Sequence, residues 1–312
     1  MPITITVVVC TYNRSDLLRG CLQSIYDQTL SKADYEVIVV DNNSTDDTTI
    51  VVESFKSFGN LRYLTEPRQG LSYARNTGWE NALGRYVAYI DDDALAAPDW
   101  LKVAYDLIHS IQPSPDCLGG PIYPFYTSPK PSWFKDEYEI RRDWAEPRYL
   151  TRGNSFSGSN CIWTRASLQL IQGFDVKAGV TGNKLSLGSE TSAFDRLWQA
   201  KADPQLYFSP ALMVRHWVPN FKMTVFYRLK RNFAMGQYLA KMYKYRARHG
   251  KTEQFFLKLF ETLKLSLRAL IRVRLFPHWQ NWVFEEWSKV LLTGGEAIGL
   301  LGIFINMKQN NQ

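Results

Sequence analysis

Three consecutive carboxylates stand directly after an apolar run in the first third of the chain. Asp91, Asp92 and Asp93 follow the segment YVAYI. Adjacent carboxylates repel one another and disfavour continuation of a strand. Mg²⁺ and Mn²⁺ bind one or two protein carboxylates together with substrate phosphates, so a bound dication would relieve the repulsion. The alternative is a solvated acidic turn or a helix N-cap ahead of Pro98.

Two further side chains have types that suit a phosphate-bearing ligand. Asp41 is the first residue beyond the apolar run EVIVV, where it could reach a ligand at the rim of a sheet. It could equally open an Asx turn in the following loop. Arg75 could pair with diphosphate oxygens, or it could be an exposed helix arginine.

The elements that must position these residues alternate between strand and helix over the first hundred residues. Such alternation predicts an α/β fold with a mostly parallel sheet and helices on both faces. Polar loops follow the strand ends, so we expect them to meet on one rim. The predicted strands are Ile3–Cys10, Glu36–Val40, Leu61–Leu64 and Arg85–Ile90, and helices are predicted after the first three, one of them over Thr48–Ser57.

Two common nucleotide-binding motifs are missing from the sequence. No G-x-G-x-x-G follows the first strand, and G-x-x-x-x-G-K-[ST] occurs nowhere in the chain. Dinucleotide-dependent oxidoreductases and P-loop NTPases are therefore disfavoured. Further along, the proline-rich and aromatic text GGPIYPFYTSPKPSWF predicts a long irregular connection.

Composition and targeting signals indicate a cytoplasmic protein. With 312 residues, 45% of them hydrophobic, the chain can bury the core of one large domain plus an extension. Its four cysteines stand alone, which suggests neither a zinc site nor a disulfide framework. The N-terminus lacks the features of a signal peptide, and the apolar stretch at 297–305 is about half the length of a membrane span.

Positive charge is concentrated near the C-terminus. Residues 221–276 contain 14 Lys/Arg and two acids, a net +12, whereas the remaining 23 basic and 28 acidic residues give −5. Within this region the spacing predicts a basic amphipathic helix, which could lie on an anionic membrane or pack on the protein or a partner subunit. No nucleic-acid-binding motif accompanies the charge, so no nucleic-acid partner is expected. The apolar positions are Phe256, Leu259, Phe260, Leu263, Leu267, Leu270 and Ile271.

Three strings resemble, in order and spacing, the N-terminal half of inverting family 2 glycosyltransferases of the GT-A fold. They are VVVCTYNRSDLLRGCLQSI, VIVVDNNSTDDT and GLSYARNTGWENALGRYVAYIDDDALAAPDWL. The resemblance spans residues 3–103, and more loosely 153–236. It implies a nucleotide-diphosphate sugar donor of the UDP or GDP type and a divalent metal, Mn²⁺ or Mg²⁺, held by a D-x-D motif. Asp93 matches the direct metal ligand, with donor-binding positions at Thr11, Tyr12, Asp41, Arg75, Asp91 and Asp92.

The resemblance also implies a catalytic base and a late histidine. The string GSNCIWTRASLQLIQGFD resembles the segment that lines the donor sugar. In LGSETSAFDRLW the dipeptide Ser189-Glu190 stands where Glu-Asp is common, so Glu190 is the candidate base, with Asp195 and Asp175 as substitutes. His216 matches a histidine after the last core strand, where it is a metal ligand, a diphosphate contact or a packed structural residue.

Together these observations predict an inverting glycosyltransferase. We expect a GT-A domain over 1–220, with a donor half at about 1–100 and an acceptor half at about 101–220, and a helical extension over 221–312. The expected acceptor is a glycan or lipid-linked hydroxyl in cell-surface or extracellular polysaccharide synthesis, at the inner face of the membrane. Two alternatives remain, a sugar-1-phosphate nucleotidyltransferase and a non-catalytic glycan-binding protein. The nucleotidyltransferase would usually carry a glycine-rich phosphate loop near its first strand, whereas TYNRSD has no glycine.

Overall fold

A computed structural model describes residues 3–176, 188–241 and 250–305. The described residues form two compact units. The first draws on 3–125, 139–176 and 189–217, and the second on 126–138, 188, 218–241 and 250–305. Parts of the expected extension, 242–249 and 306–312, lie outside the described residues.

An eight-stranded, mixed sheet forms the centre of the first unit, and the predicted α/β class is confirmed. Its strand order is β3-β2-β1-β4-β9-β6-β10-β8, and β1 to β4 pair in parallel. The strand β9 interrupts this pattern because it runs antiparallel to both β4 and β6. The strands are β1 Ile5–Thr11, β2 Tyr35–Asp41, β3 Leu61–Thr65, β4 Tyr86–Asp91, β5 Ala94–Ala96, β6 Cys117–Gly119, β7 Ile122–Phe125, β8 Arg148–Tyr149, β9 Cys161–Thr164, β10 Leu206–Phe208 and β11 Val214–Trp217.

Helices cover both faces of this sheet, as the alternation of strands and helices predicts. Neighbouring side chains of β1 point to opposite faces, so Val7 and Val9 join one buried cluster and Val8 joins the other. The predicted helix over 48–57 ends at Ser54 and is followed by a short 3₁₀ turn. The helices of this unit are α1 Ser15–Tyr26, α2 Thr48–Ser54, α3 Leu71–Glu80, α4 Trp100–Ser110, α5 Arg165–Leu170 and α6 Ser189–Ala200.

A second, three-stranded sheet of order β5-β11-β7 lies within the first unit. Part of the stretch expected to be irregular is therefore a strand, because Ile122–Phe125 pairs in parallel with β11. Antiparallel pairing of β11 with β5 sets His216 opposite Ala94, and the Trp217 N–H donates to the Asp93 carbonyl at 2.9 Å. This pairing brings a late residue of the chain to the end of the acidic triplet.

The second unit is helical. Its helices are α7 Val225–Lys241, α8 Lys251–Arg272, α9 Trp279–Trp282 and α10 Ser288–Leu300, with a π-helical segment at Val283–Trp287. Glycines let α7 and α10 approach closely, since a Cβ on Gly236 or Gly295 would collide with the backbone of the other helix. Among residues 3–176, 188–241 and 250–305, no helix combines the length and apolar character needed to cross a membrane.

Candidate active site

Three parallel strands end side by side at the site. Thr11 of β1 is in register with Asp41 of β2, and Cys10 is in register with Asp91 of β4. The predicted convergence of the polar loops on one rim is therefore confirmed. Thr11 and Asp41 are buried, whereas the neighbouring Tyr12 side chain is 42% exposed.

Hydrogen bonds connect the first two rim loops. The Thr45 N–H donates to Asn13 Oδ1 at 2.7 Å, and the Ser15 N–H donates to Asp46 Oδ2 at 2.9 Å. Asp41 accepts from the Ser44 N–H at 2.9 Å and from the Tyr63 hydroxyl at 2.6 Å. Asp41 thus takes part in the local turn of its loop even though it stands at the strand end.

Two aspartates and a histidine form a cluster of metal-ligand type. One donor atom each from Asp91, Asp93 and His216 lie within 4.8 Å of one another. His216 Nε2 lies 3.2 Å from Asp93 Oδ1 and 3.6 Å from Asp91 Oδ2. Burial alone would raise the pKa of Asp91, but its hydrogen bond with His216 and the charge of Arg75 outweigh burial and hold that pKa below its usual range.

The orientation of His216 suits a ligand. Its Nδ1 lies 3.0 Å from the Trp217 carbonyl oxygen, which can only accept, so Nδ1 carries a proton and donates it. Nε2 is then the nitrogen directed at the two carboxylates. Metal-bound histidines commonly donate their second ring N–H to a carbonyl in this way, and two carboxylate oxygens with one imidazole nitrogen are a donor set that Mn²⁺ accepts. The residues present therefore fit a divalent cation.

Arg14 is a member of the site that sequence reasoning missed. Its guanidinium Nη1 lies 3.2 Å from Asp92 Oδ1 and 3.0 Å from Asp93 Oδ2. Burial raises the pKa of Asp92 above its usual range, and the positive charge of Arg14 opposes that rise. The available signal was the position of Arg14 in TYNRSD, a loop expected on the same rim as three negative charges.

Arg75 links the metal-ligand cluster to the candidate base. Its side chain is only 2% exposed, and its guanidinium lies 2.8 Å from Glu190 Oε1 and 3.5 Å from Asp91 Oδ1. It also stacks over the Phe174 ring, with 5.4 Å from Cζ to the ring centroid. The alternative of an exposed helix arginine is therefore wrong, and the expected diphosphate contact stays a prediction.

A glycine makes room for this ion pair. A Cβ added to Gly158 would lie 2.8 Å from Glu190 Cγ, and closer still to Glu190 Oε1 and the Arg75 guanidinium. Glu190 itself is in the first turn of α6 and its side chain is 26% exposed.

Asp195, five residues further along α6, points about 140° away from Glu190 around the helix and is buried. Asp175 follows Phe174, whose N–H donates to Asn76 Oδ1 at 2.7 Å.

The fold and this arrangement agree with the sequence relationships of the chain. The profile described as "Glycosyl transferase family 2" matches residues 6–167. This chain belongs to glycosyl transferase family 2. It is 27% identical to the glucosyl-dolichyl phosphate glucuronosyltransferase of Haloferax volcanii over 240 residues, 74% of this chain and 75% of that protein. It is also 25% identical to the succinoglycan biosynthesis protein ExoM of Rhizobium meliloti over 237 residues, 75% of this chain and 73% of that one.

Solved structures share the GT-A fold. The mannosyltransferase PcManGT from Pyrobaculum calidifontis, in complex with GDP-Man and Mn²⁺, superposes with a TM-score of 0.65 at 19% identity, covering 95% of this chain and 89% of that one. S. aureus TarS 1–349, in complex with UDP-GlcNAc, gives a TM-score of 0.60 at 16% identity, covering 96% of this chain and 91% of that one. The chain is thus a glycosyltransferase of the GT-A fold.

Proposed function

We propose that the protein is a metal-dependent, inverting glycosyltransferase that moves a sugar from a nucleotide-diphosphate donor to a hydroxyl group. The observation that carries this proposal is the joining of the Asp91, Asp93 and His216 cluster to Glu190 through the buried Arg75. One guanidinium contacts both a candidate metal ligand and a candidate base. A non-catalytic glycan-binding protein would have no need of that connection.

The donor is a UDP- or GDP-type sugar, because PcManGT and TarS, with the same fold, are described with GDP-Man and UDP-GlcNAc. We assign the donor half to about 1–100 and the acceptor half to about 101–220. Thr11, Tyr12 and Asp41 lie on the rim for contact with the nucleoside. The exposed ring of Tyr12 offers a face on which a base can stack.

Asp91, Asp93 and His216 would hold the divalent cation, Mn²⁺ or Mg²⁺. When bound, it supplies a Lewis acid that neutralises the charge developing on the departing nucleoside diphosphate. Asp92 and Arg14 lie beside this cluster, where the Arg14 guanidinium offsets the charge of the triplet. Asp92 remains a candidate contact for the ribose or for metal-bound water.

Glu190 is the proposed general base. The attacking hydroxyl must lose its proton as it reaches the anomeric carbon, through an oxocarbenium-like transition state. Arg75 fixes the position of the Glu190 carboxylate by a 2.8 Å contact. Single displacement, with the base on the side opposite the leaving group, gives inversion.

The acceptor is a glycan or lipid-linked hydroxyl in cell-surface or extracellular polysaccharide synthesis. Support comes from the names of two relatives, one a glucosyl-dolichyl phosphate glucuronosyltransferase and the other a succinoglycan biosynthesis protein. Acceptors of this kind place the enzyme at the cytoplasmic face of the cell membrane. The catalytic domain is assigned to about 1–220.

Thermal unfolding with Mn²⁺ and a panel of nucleotide sugars tests the donor and metal assignments together, because a ligand that binds only the folded state raises its melting temperature. Asp93→Asn should abolish the Mn²⁺-dependent shift, whereas Asp106→Asn, a change at the exposed Lys102 pair in α4, should leave it intact. Glu190→Gln should keep the shift but lower transfer by about 10²–10⁴-fold. Sugar transfer at the unmodified rate by both Asp93→Asn and Glu190→Gln would refute the proposed mechanism. Release of pyrophosphate from a nucleoside triphosphate would instead favour the sugar-1-phosphate nucleotidyltransferase.

A further inference from the structure

The sequence left open whether the apolar side of α8 packs on the protein or stays exposed, and in the structure that side is exposed. The inward face of α8 carries small residues: the Thr262 hydroxyl donates to Thr293 Oγ1 at 2.9 Å, and the Ala269 carbonyl accepts from Trp282 Nε1 at 2.8 Å. Ala269 is completely buried, although ordinarily the large apolar residues of such a helix face the core. Most of the large apolar side chains of α8 therefore point away from the helices of its own unit, whereas Phe255 and Leu265 are partly buried.

These outward side chains form one continuous band, here named the α8 apolar stripe. They recur at intervals of three and four residues, so they share one side of the helix. Their exposed fractions run from 39% to 71%. At roughly 100 Å² each, seven such side chains expose about 700 Å², more than the about 300–600 Å² of the largest apolar patch on a typical monomer. The stripe consists of Phe256, Leu259, Phe260, Leu263, Leu267, Leu270 and Ile271.

Positive charge borders this stripe. Lys264 and Arg268 each follow a stripe residue, which places them on one flank of the helix about 100° further round. Arg268 lies 3.3 Å from the buried Glu286 and still keeps half of its side chain exposed. Between Lys251 and Phe276 there are six basic residues and two acidic ones, and Glu296 and Glu286 of the same unit balance part of this charge through Lys258 and Arg272. Beyond the helix, Trp279 is also 63% exposed.

We propose that α8 docks on an anionic lipid bilayer, with the α8 apolar stripe entering the headgroup and acyl boundary and the basic flank facing lipid phosphates. Aromatic and aliphatic side chains on one side and lysine and arginine beside them are the features of helices that lie in a membrane interface. A protein partner would cover the stripe without requiring the positive surplus. An anionic bilayer is complementary to both features, because its acyl boundary accommodates the α8 apolar stripe and its lipid phosphates attract the basic flank. This inference concerns the second unit alone and is independent of the proposed chemistry.

Co-sedimentation of the full chain with vesicles tests the proposal. We expect binding to phosphatidylcholine vesicles that contain about 30% phosphatidylglycerol, and at least tenfold weaker binding to pure phosphatidylcholine, because each basic residue near the surface contributes about fivefold in affinity. Phe260→Ser combined with Leu267→Ser should reduce binding to the anionic vesicles by at least tenfold. Lys264→Glu should reduce it severalfold, and the reduction should shrink at high salt.

A matched control is available on the first unit. Leu83 is 61% exposed, as Leu267 is, so Leu83→Ser removes the same kind of surface without touching α8. It should bind vesicles like the unmodified chain. Sedimentation velocity without lipid distinguishes self-association. Equal vesicle binding by Phe260→Ser/Leu267→Ser and by Leu83→Ser would overturn the proposal. It would also be overturned if the unmodified chain did not bind vesicles but formed a dimer that the Phe260→Ser/Leu267→Ser variant could not form.

Discussion

Adding a single methyl group at Gly158 should disturb the candidate base while the fold persists. The new Cβ would lie 2.8 Å from Glu190 Cγ, where ordinary contacts begin at 3.4 Å, and would be closer still to the Arg75 guanidinium. Arg75 cannot give way easily, because its side chain is 2% exposed and stacks on Phe174. The partly exposed Glu190 is free to move outward, so we expect it to shift by about 1 Å.

The expected magnitude follows from that shift. A misplacement of about 1 Å costs roughly 10²-fold in rate when geometry matters, so Gly158→Ala should lower kcat by about that factor. Overpacking should also lower the free energy of unfolding by about 1–3 kcal/mol. Because Gly158 does not have a positive φ, the substitution tests space and not backbone strain. Donor binding measured by thermal shift with Mn²⁺ should change little.

Initial-rate transfer assays and urea unfolding measure the two effects. Gly20→Ala in α1 is the matched control, since its Cβ would meet only Leu95 Cδ2 at 3.6 Å. That change should leave kcat unaltered and raise the unfolding free energy by up to about 1 kcal/mol. If Gly158→Ala folds normally and retains kcat within about threefold of the parent, Glu190 does not need the position that Arg75 gives it, and the base assignment fails.

Two other substitutions test the support of the site. The Glu66 carboxylate accepts hydrogen bonds from Arg68 and Thr77. The Arg68 hydrogen bond is the main cause that lowers the pKa of Glu66 from 4.5 to about 2. The stability that Glu66 contributes to the fold is therefore complete above pH 4.5 and is lost as pH falls towards 2. Glu66→Gln should therefore cost about 1–2 kcal/mol in urea unfolding at pH 6, after discounting the exposed Arg68, with a smaller cost at pH 3; a cost independent of pH would contradict this origin. Asn160→Ala should lower the free energy of unfolding by about 2–4 kcal/mol in the same measurement. The reason is that the completely buried Asn160 amide accepts from Trp100 Nε1 and donates to the Pro121 and Leu212 carbonyls. A loss below about 1 kcal/mol would mean that other groups replace those hydrogen bonds.

Local patterns predicted the donor side of the fold well. Apolar runs of strand length gave β1, β2, β3 and β4 to within two residues at each end, and the polar text after them indicated the rim. This success has a physical basis, since the side chains of buried parallel strands are apolar on both faces and the loops that follow must be polar. The register of Thr11 with Asp41 confirms the expected convergence.

Contacts between distant parts of the chain were not predictable in the same way. Arg75 and Glu190 are 115 residues apart in sequence, and neither segment carries a local sign that they pair. The strand β7 was hidden because proline and aromatic residues suggest irregular structure, whereas its pairing with β11 is what supports it. For α8 the periodicity indicated an apolar side, but periodicity cannot tell whether that side or the small-residue side faces the neighbouring helices.

The pairing of β1 with β4 also determines which changes in chain length the site can tolerate. Side chains alternate between the faces of a strand, so inserting or deleting one residue inside β4 would turn Asp91 from one side of the sheet to the other. The composition of the core would be almost unchanged, yet the carboxylate would leave His216. An insertion in the connection between α1 and β2, far from the rim, leaves the register of Cys10 with Asp91 intact. Natural length variation in this protein should therefore collect in such connections and avoid the strands that end at the site.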